Sequence, residues 1–216
     1  MTIKKTDKTS ITRLPKRGVY DEASIHDILD EALVCTVAFV QNNEPFQIPT
    51  GFCRIADQLY IHGSVGSHYM RYLAEHKAKV CISVMHIDGL VLARSAFHHS
   101  VNYRSVVMFS EAVRVDDKEE IYQSLEVFTN KMQPGRWDDV RKPTDNEWKA
   151  TMVLKFKIEE VSAKVRTGGP KDDEEDYNLP IWAGVVPLQI ERKAPIVDPE
   201  MKLSVPLPAY LNYARD

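Results

Sequence analysis

The segment LVCTVAFVQNNEPFQIPTGFCRIADQLYIHG (33–63) decides the fold, because it holds three runs of β-strand character with only short turns between them. Residues 33–40 are a continuous apolar and β-branched run, residues 46–53 alternate two sets of side chains, and residues 59–63 form the third run. The turn-rich letters NNEP and DQ separate them. Strands joined by such short turns are antiparallel neighbours in one sheet.

The rest of the chain also shows the patterns of strands and a few helices. The periodicity predicts helices over about 21–32, 67–76 and 117–133, and strands over 79–87, 90–97, 103–115 and from Thr151 onward. The dipeptide Asp88-Gly89 is predicted to be a hairpin turn. At least seven strands with few helices indicate a mainly β protein, a closed antiparallel barrel with helices at its ends. A parallel α/β sheet is disfavoured, since it would need a helix after nearly every strand.

The composition is that of an ordinary globular protein with one main domain. The 216 residues are 44% hydrophobic and 27% charged, and the formal net charge is -3. No apolar run approaches the roughly 20 residues that span a bilayer, and the first ten residues lack the apolar stretch of a secretory signal, so a cytoplasmic location is expected. The three cysteines form no CxxC pair and are expected to be buried free thiols.

Charge and proline content divide the chain into three parts. Residues 1–13 are expected to be a flexible basic arm, residues 14–188 the folded domain, and residues 189–216 a proline-rich tail. No aromatic residue lies among the basic residues of the arm to provide a stacking surface, so no nucleic-acid partner is expected.

The segment IHGSVGSHYMRYL (61–73) is the most informative for function. A strand ends there, two glycines follow, and Ser64 and Ser67 precede a helix that carries His68 and Arg71. Free backbone N–H groups at a helix start, short hydroxyls and nearby cations are what a phosphate group needs. The alternative is that Ser67 is only a helix cap and the glycines only turn residues. A P-loop is excluded because GxxxxGK[ST] is absent.

Two further segments place polar or aromatic groups near the predicted barrel rim. In HHSVNYRSVVMFSEA (98–112), Arg104 is either a surface strand residue or an anion contact, and adjacent histidines on a strand point to opposite faces, so no metal site is expected. In YNLPIWAGVVPL (177–188), Trp182 either packs on its own barrel or lies beside a planar cofactor. No GxSxG motif or paired catalytic cysteine motif is present.

Taken together, the IPTGF strand, the LYIHGSVGS turn, the NYRSVVMFSEA strand and the WAGVVPL tail resemble the FMN-binding split-barrel proteins related to pyridoxamine 5'-phosphate oxidase. The resemblance covers residues 14–188 and is to the nitroimidazole-resistance and flavin-nucleotide-binding branch. It implies a six-stranded antiparallel split β-barrel, a homodimer, and FMN at the subunit interface.

The resemblance also implies cofactor-binding positions. In this sequence they are Ile48, Pro49, Thr50 and Gly51 along the flavin ring, His62, Gly63, Ser64, Ser67 and His68 near the phosphate, and Arg104 and Ser105 on the next long strand. The residues themselves add Arg71, as a cation beside the phosphate turn, and Trp182, as a ring beside the cofactor, to the predicted cofactor-binding positions. The basic pair and the Ser-Arg-Lys set of the vitamin oxidase are missing, and Ser67-His68 replaces a lysine usual in the branch.

The expected function is therefore that of an FMN-dependent oxidoreductase, but not the vitamin oxidase itself. It would pass electrons from a nicotinamide donor to a small aromatic or nitro-type acceptor, with no side-chain catalyst assigned. The histidines from His62 to His99 leave open a non-catalytic dimer that binds flavin or haem. A structural or regulatory dimer with an empty pocket is the third possibility.

Overall fold

The computed structural model describes residues 2–213 as a mainly antiparallel β protein with short helices. The strands are β1 (Gly18–Val19), β2 (Val34–Gln41), β3 (Glu44–Ile55), β4 (Gln58–Ser64), β5 (Lys79–Leu92), β6 (Ser100–Glu111), β7 (Val113–Val115), β8 (Thr151–Lys157), β9 (Glu160–Arg166) and β10 (Gly184–Pro187). The helices are α1 (Glu22–Glu31), α2 (His68–His76), α3 (Lys118–Met132), α4 (Arg136–Asp139) and α5 (Asp145–Ala150). The predicted mainly β class is confirmed.

Each pair of neighbouring strands within residues 2–213 is antiparallel. The strands follow the order β1-β9-β6-β5-β2-β3-β4-β8-β7. β10 pairs with the second half of β5, beyond the part of β5 that β2 covers. The sheet curls until β6 comes near β8, but the hydrogen-bonded path within residues 2–213 ends at β1 and β7. The barrel expected from the sequence is therefore open, and its ladder has more strands than six.

The sheet has a well-covered inner face. The main core packs α1 and α2 against this face, with Ile25, Leu29, Met70 and Leu73 completely buried. Buried and more exposed residues alternate along β2 and β5, which is the pattern of a sheet with one packed face. The two helices thus plug the inside of the curled sheet.

Helix α3 covers only part of the outer face. A second, smaller core lies beneath it, where Cys53, Tyr60 and Val153 are buried against Ile121 and Phe128. Over β2, β5 and β6 the outer face carries exposed apolar side chains, among them Val34, Val40, Met85 and Ile87, of which Met85 is 67% exposed. These four residues, with their neighbours on the same strands, are named the open face below.

Two strand predictions were wrong, and one strand was missed. The expected turn at Asp88-Gly89 is a register shift inside the single strand β5, where the ladder slips between Ile87 and Gly89. Gly89 is needed there because a Cβ would lie 3.0 Å from Val185 of β10. The long strand expected to reach Val115 stops at Glu111 and restarts as β7, and β9 was not recognised as a strand at all.

The two termini lie against the body at specific points. The Ile3 amide donates to the Tyr20 carbonyl and Lys8 forms an ion pair with Glu160 at 2.8 Å. At the other end, the Gln133 side-chain amide donates to the Tyr210 carbonyl, which brings the end of the tail onto α3. The boundaries at residues 13 and 188 stay predictions.

Within residues 2–213, no helix is both long enough and apolar enough to cross a membrane.

Candidate functional site

The IPTG residues of β3 lie in register with β2 and divide between the two faces of the sheet. Ile48 opposes Val37 and Thr50 opposes Cys35, both on the inner face, so Pro49 and Gly51 point outward. Ile48 packs against the main core. Burial raises the pKa of Tyr69 in α2, and the neighbouring Thr50 hydroxyl opposes that rise. The strand predicted to line a flavin ring thus touches the first turn of α2.

Gly51 and His62 come together at the edge of α3. A Cβ on Gly51 would lie 2.8 Å and 2.9 Å from two ring atoms of Phe128, so only glycine allows this close approach. The His62 ring stands edge-on to the same Phe128 ring, with centroids 4.5 Å apart. Burial lowers the pKa of His62, because the charged imidazolium is disfavoured away from water. His62 is therefore neutral at neutral pH.

The turn between β4 and α2 presents unpaired backbone donors. The Gly66 amide donates to the Ser64 hydroxyl at 3.1 Å and the Ser67 amide donates to the Ser64 carbonyl at 2.9 Å. Within residues 2–213, however, the amides of His68, Tyr69 and Met70 have no acceptor. The Ser67 hydroxyl does not cap the helix either. This end of α2 can therefore bind an anion through three N–H groups and the helix dipole.

The remaining residues of the turn frame this anion-binding end. Gly63 lies inward, where a Cβ would meet Met70 at 3.4 Å. His68 and Arg71 are exposed on the first turns of α2. The structure thus brings Thr50 to the first turn of α2 and brings Gly51 and His62 to Phe128. Ile48 and Thr50 face inward, whereas Pro49 and Gly51 face outward, so the predicted residues are divided between the two faces of the sheet.

Arg104 lies elsewhere. Its guanidinium donates to the carboxylates of both Glu31 and Asp88, with a distance of 2.9 Å to Asp88. These hydrogen bonds lower the pKa of both acids and raise the pKa of Arg104. In the sheet order, β5, β2 and β3 separate the Arg104 strand from β4. Arg104 therefore acts as an ion-pair centre at the end of α1, away from the turn.

Ser105 and Trp182 lie near the open face. The Ser105 hydroxyl donates to the Lys164 carbonyl at 3.2 Å. Trp182 is 66% exposed, and its ring lies over Gly184, where a Cβ would be 3.0 Å away. Because β10 follows at once and pairs with β5, the Trp182 segment is held beside the open face.

Sequence reasoning missed two residues that build this site, Phe128 and Tyr69. Helical spacing places both on buried helix faces, but nothing in the spacing indicates which strand they meet. The contact with Gly51 requires the sheet curvature and the position of α3 together. A glycine inside a strand was the available signal, because it often marks a close approach of another group.

The site offers groups that can bind a ligand, but no side chain that is suited to act as a catalyst. Burial raises the pKa of Cys35 and Cys53 to about 12, so both thiols stay protonated. All three cysteines are free, and Cys81 is only partly buried. In the described part of the chain, no group of three or more histidine, cysteine or acidic side chains could hold a metal ion. The arrangement favours binding of a phosphorylated, planar group.

Comparisons with known proteins agree on the family. The model of the family described as pyridoxamine 5'-phosphate oxidase matches residues 21–165. The flavocytochrome Anf3 from Azotobacter vinelandii is 36% identical, with 95% of both chains covered and a TM-score of 0.89. A FAD and haem binding protein from Mycobacterium smegmatis is also 36% identical, with 90% of this chain and 95% of that chain covered and a TM-score of 0.85.

A protein named for 5-nitroimidazole antibiotic resistance, from Bacteroides thetaiotaomicron, shares the fold at 21% identity, with 68% of this chain and 86% of that chain covered and a TM-score of 0.58. The comparison with curated proteins found no match. The family match spans well over half of the sequence, and two relatives at 36% identity cover nearly all of it. The chain belongs to the pyridoxamine 5'-phosphate oxidase family.

Proposed function

We propose that this protein binds a flavin nucleotide and uses it to transfer electrons. The observation that carries the proposal is the contact of Thr50, in the IPTG strand, with Tyr69 in the first turn of α2, where the amides of His68, Tyr69 and Met70 are unpaired. A phosphate dianion at these amides gains hydrogen bonds and the favourable helix dipole. Arg71, exposed one turn further along α2, adds a cation nearby.

The outward side of β3 suits a flat ring. Pro49 leaves little side chain above the strand, and the Phe128 ring, which covers Gly51 and packs against the neutral His62, forms one end of this surface. Bound flavin would supply the hydride or electron transfer, and the protein would supply position and polarity. β4 pairs with β3 only from Phe52 onward, so the backbone of β3 near Thr50 has no partner strand on that side. These backbone groups and the ring nitrogens of His62 are the groups that would orient the flavin ring.

The names of the similar proteins support flavin and widen the choice of cofactor. One relative at 36% identity is named a flavocytochrome and the other a FAD and haem binding protein. FMN, expected from the sequence, and FAD both carry the isoalloxazine ring and a phosphate next to the ribityl chain. We therefore propose a flavin of either kind at this site and let the experiment below identify it.

The proposed reaction takes electrons from a nicotinamide nucleotide and delivers them to a small aromatic or nitro-type acceptor. It requires little from side chains, which fits a site whose nearby thiols, Cys35 and Cys53, stay protonated. A flavin-binding dimer without turnover is the alternative within the same site.

A homodimer accompanies this proposal. The open face is apolar over three adjacent strands, and exposed apolar patches of this kind mark interaction sites. A second copy of the chain is the partner we propose, because an identical sheet face offers matching apolar strips. The cofactor would then lie at the seam, with Trp182 beside it.

Haem is a second candidate cofactor, favoured by His62. The neutral imidazole has no hydrogen-bond partner within the described residues, so a ring nitrogen is free to bind iron. A His62→Phe variant keeps the ring packing but removes the nitrogens.

The test is an absorbance spectrum of the purified full-length protein, before and after FMN or FAD is added, followed by anaerobic NADPH and NADH. We expect flavin bands that bleach with a nicotinamide donor, and chromatography of the released chromophore identifies FMN or FAD. Flavin bands that persist would leave binding without turnover. A Soret band lost in His62→Phe would show haem at that histidine, and a featureless spectrum with no binding would overturn the proposal.

A further inference from the structure

The end of β9 holds a buried arginine that no carboxylate neutralises. Arg166 is 7% exposed, and within residues 2–213 no acidic side chain lies within 4 Å of it. Its guanidinium donates to neutral oxygens only, the Asn102 side chain and the carbonyls of Gly168 and Gly169, the latter two at 3.5 Å. Its Nε is buried without any partner.

A buried arginine cannot become neutral by losing its proton, because the guanidinium group stays protonated in proteins. Burial and the charge of Arg17 both lower the pKa of Arg166, yet the guanidinium stays charged. Arg94, just after β5, shows the usual solution, because Asp172 accepts from both its backbone amide and its guanidinium at 3.0 Å. Arg166 has no such counterion, and burying an unpaired charge is costly.

Other cations surround Arg166 at the same sheet edge. Register places Gly18 of β1 opposite Lys164, so Lys16 and Arg17 precede β1 beside the end of β9. None of these lysines and arginines forms an ion pair within the described part of the chain. An anion from outside the described residues would relieve the repulsion among them.

The loop after Arg166 leaves room for such an anion. Gly168 adopts φ +93°, a conformation that favours glycine, and neither Gly168 nor Gly169 has any atom within 4 Å of a Cβ position. Open space beside two arginines suits a phosphate group, whose oxygens accept charge-assisted hydrogen bonds from guanidinium groups.

We propose that Arg17, Arg166 and the 167–170 loop bind a phosphate group, at a site separate from the start of α2. The phosphate belongs to a nucleotide cofactor or to a phosphorylated small molecule. The site is separate from the anion-binding start of α2, because its residues lie just before β1, at the end of β9 and in the loop that follows β9, and not on β3, β4 or α2.

The experiment measures binding of inorganic phosphate and pyrophosphate to the full-length protein by calorimetry at low ionic strength. We expect Arg17→Gln to weaken binding about tenfold, the loss of one charge-assisted contact, and Arg166→Lys to weaken it less than Arg166→Gln. Arg17 is only partly buried, so its variant remains informative if Arg166→Gln fails to fold. Arg114→Gln, a charge-matched change on the exposed β7, should have no effect.

Ser67→Asp separates the two anion sites. Pyrophosphate binding that survives Ser67→Asp but is lost in Arg17→Gln supports the proposal, whether or not flavin binds. Binding that is lost in Ser67→Asp and unchanged in Arg17→Gln would overturn it, as would a wild-type protein that binds neither anion. The affinities of Arg17→Gln for FMN and FAD then identify where the bound phosphate comes from. A loss of affinity for FAD alone points to the pyrophosphate of the cofactor. Unchanged affinity for both flavins points to a separate phosphorylated molecule.

Discussion

The Gly51 contact with Phe128 joins the proposed ring surface to the packing of α3. Since the two ring atoms lie 2.8 Å and 2.9 Å from the Cβ position, we expect Gly51→Val to destabilise the fold by about 1–3 kcal/mol through overpacking. Chemical denaturation measures the change. Gly66→Ala, whose nearest neighbour would be the Ser64 hydroxyl at 3.4 Å, should stay within about 0.5 kcal/mol of wild type.

A double variant tests whether Phe128 is the cause. Gly51→Val should cost less when Phe128→Ala is already present, because the ring that causes the clash is gone. Equal costs in both backgrounds would place the strain elsewhere.

Lys131 gives the protein a pH-dependent stability above neutrality. Its ammonium donates to the Leu29 carbonyl at 2.9 Å and lies 3.7 Å from the centre of the Phe52 ring, and burial lowers its pKa to about 8. Between pH 8 and the ordinary lysine pKa of 10.5, the unfolded chain holds more protons than the folded one, so stability rises with pH. Lys131→Met should remove that rise in denaturation curves from about pH 7.5 to 10, and an unchanged slope would contradict the assignment.

We expect the first turn of α2 to matter more for the proposed flavin binding than for stability. Ser67→Asp should weaken flavin binding about tenfold, because a carboxylate would stand beside the phosphate. The same change should stabilise the helix by about 0.3–1 kcal/mol through the dipole and the vacant cap. Ser67→Ala is the control, with little change in affinity. If Ser67→Asp leaves flavin affinity intact, the start of α2 is not the phosphate site.

Local patterns predicted the helices and strands that alternate cleanly, and failed where tertiary pairing sets the boundary. Helix α1 and strands β2 to β4 follow from periodicity and turn residues, as does the start of α2. Asp88-Gly89 has the composition of a hairpin turn, yet the pairing of β5 with β6 and β10 keeps it extended. No local signal shows that distant strands will hold such a dipeptide in a ladder.

Only part of the candidate site could be predicted from the sequence. The turn from Gly63 to Ser67 and the IPTG strand are contiguous motifs, so the sequence indicates each of them directly. Arg104 was expected on the cofactor by resemblance, but its partners Glu31 and Asp88 come from separate elements. Only the fold shows that its charge is already matched.

Association through the open face is the prediction that concerns the assembled protein. Met85 is exposed in the middle of this face, so Met85→Glu should shift a dimer to monomers in sedimentation experiments, since a buried unpaired carboxylate is costly at an interface. Gln123→Glu, an exposed change on α3, should leave the assembly unchanged. Flavin affinity should fall together with dimerisation if the cofactor lies at the seam.

The pairing of β10 with β5 has a consequence for how the protein avoids self-association of the wrong kind. β2 covers β5 only from Val80 to Ser83, and β10 occupies the same edge from Gly89 to Leu92. A chain ending at Ala183 would leave that edge with free amides and carbonyls beside Val91 and Leu90, a template for adding foreign strands. A chain ending at Leu188 keeps the cover, so it should remain dispersed where the shorter one forms thioflavin-positive aggregates. We therefore expect β10 to protect this edge of the sheet from polymerisation.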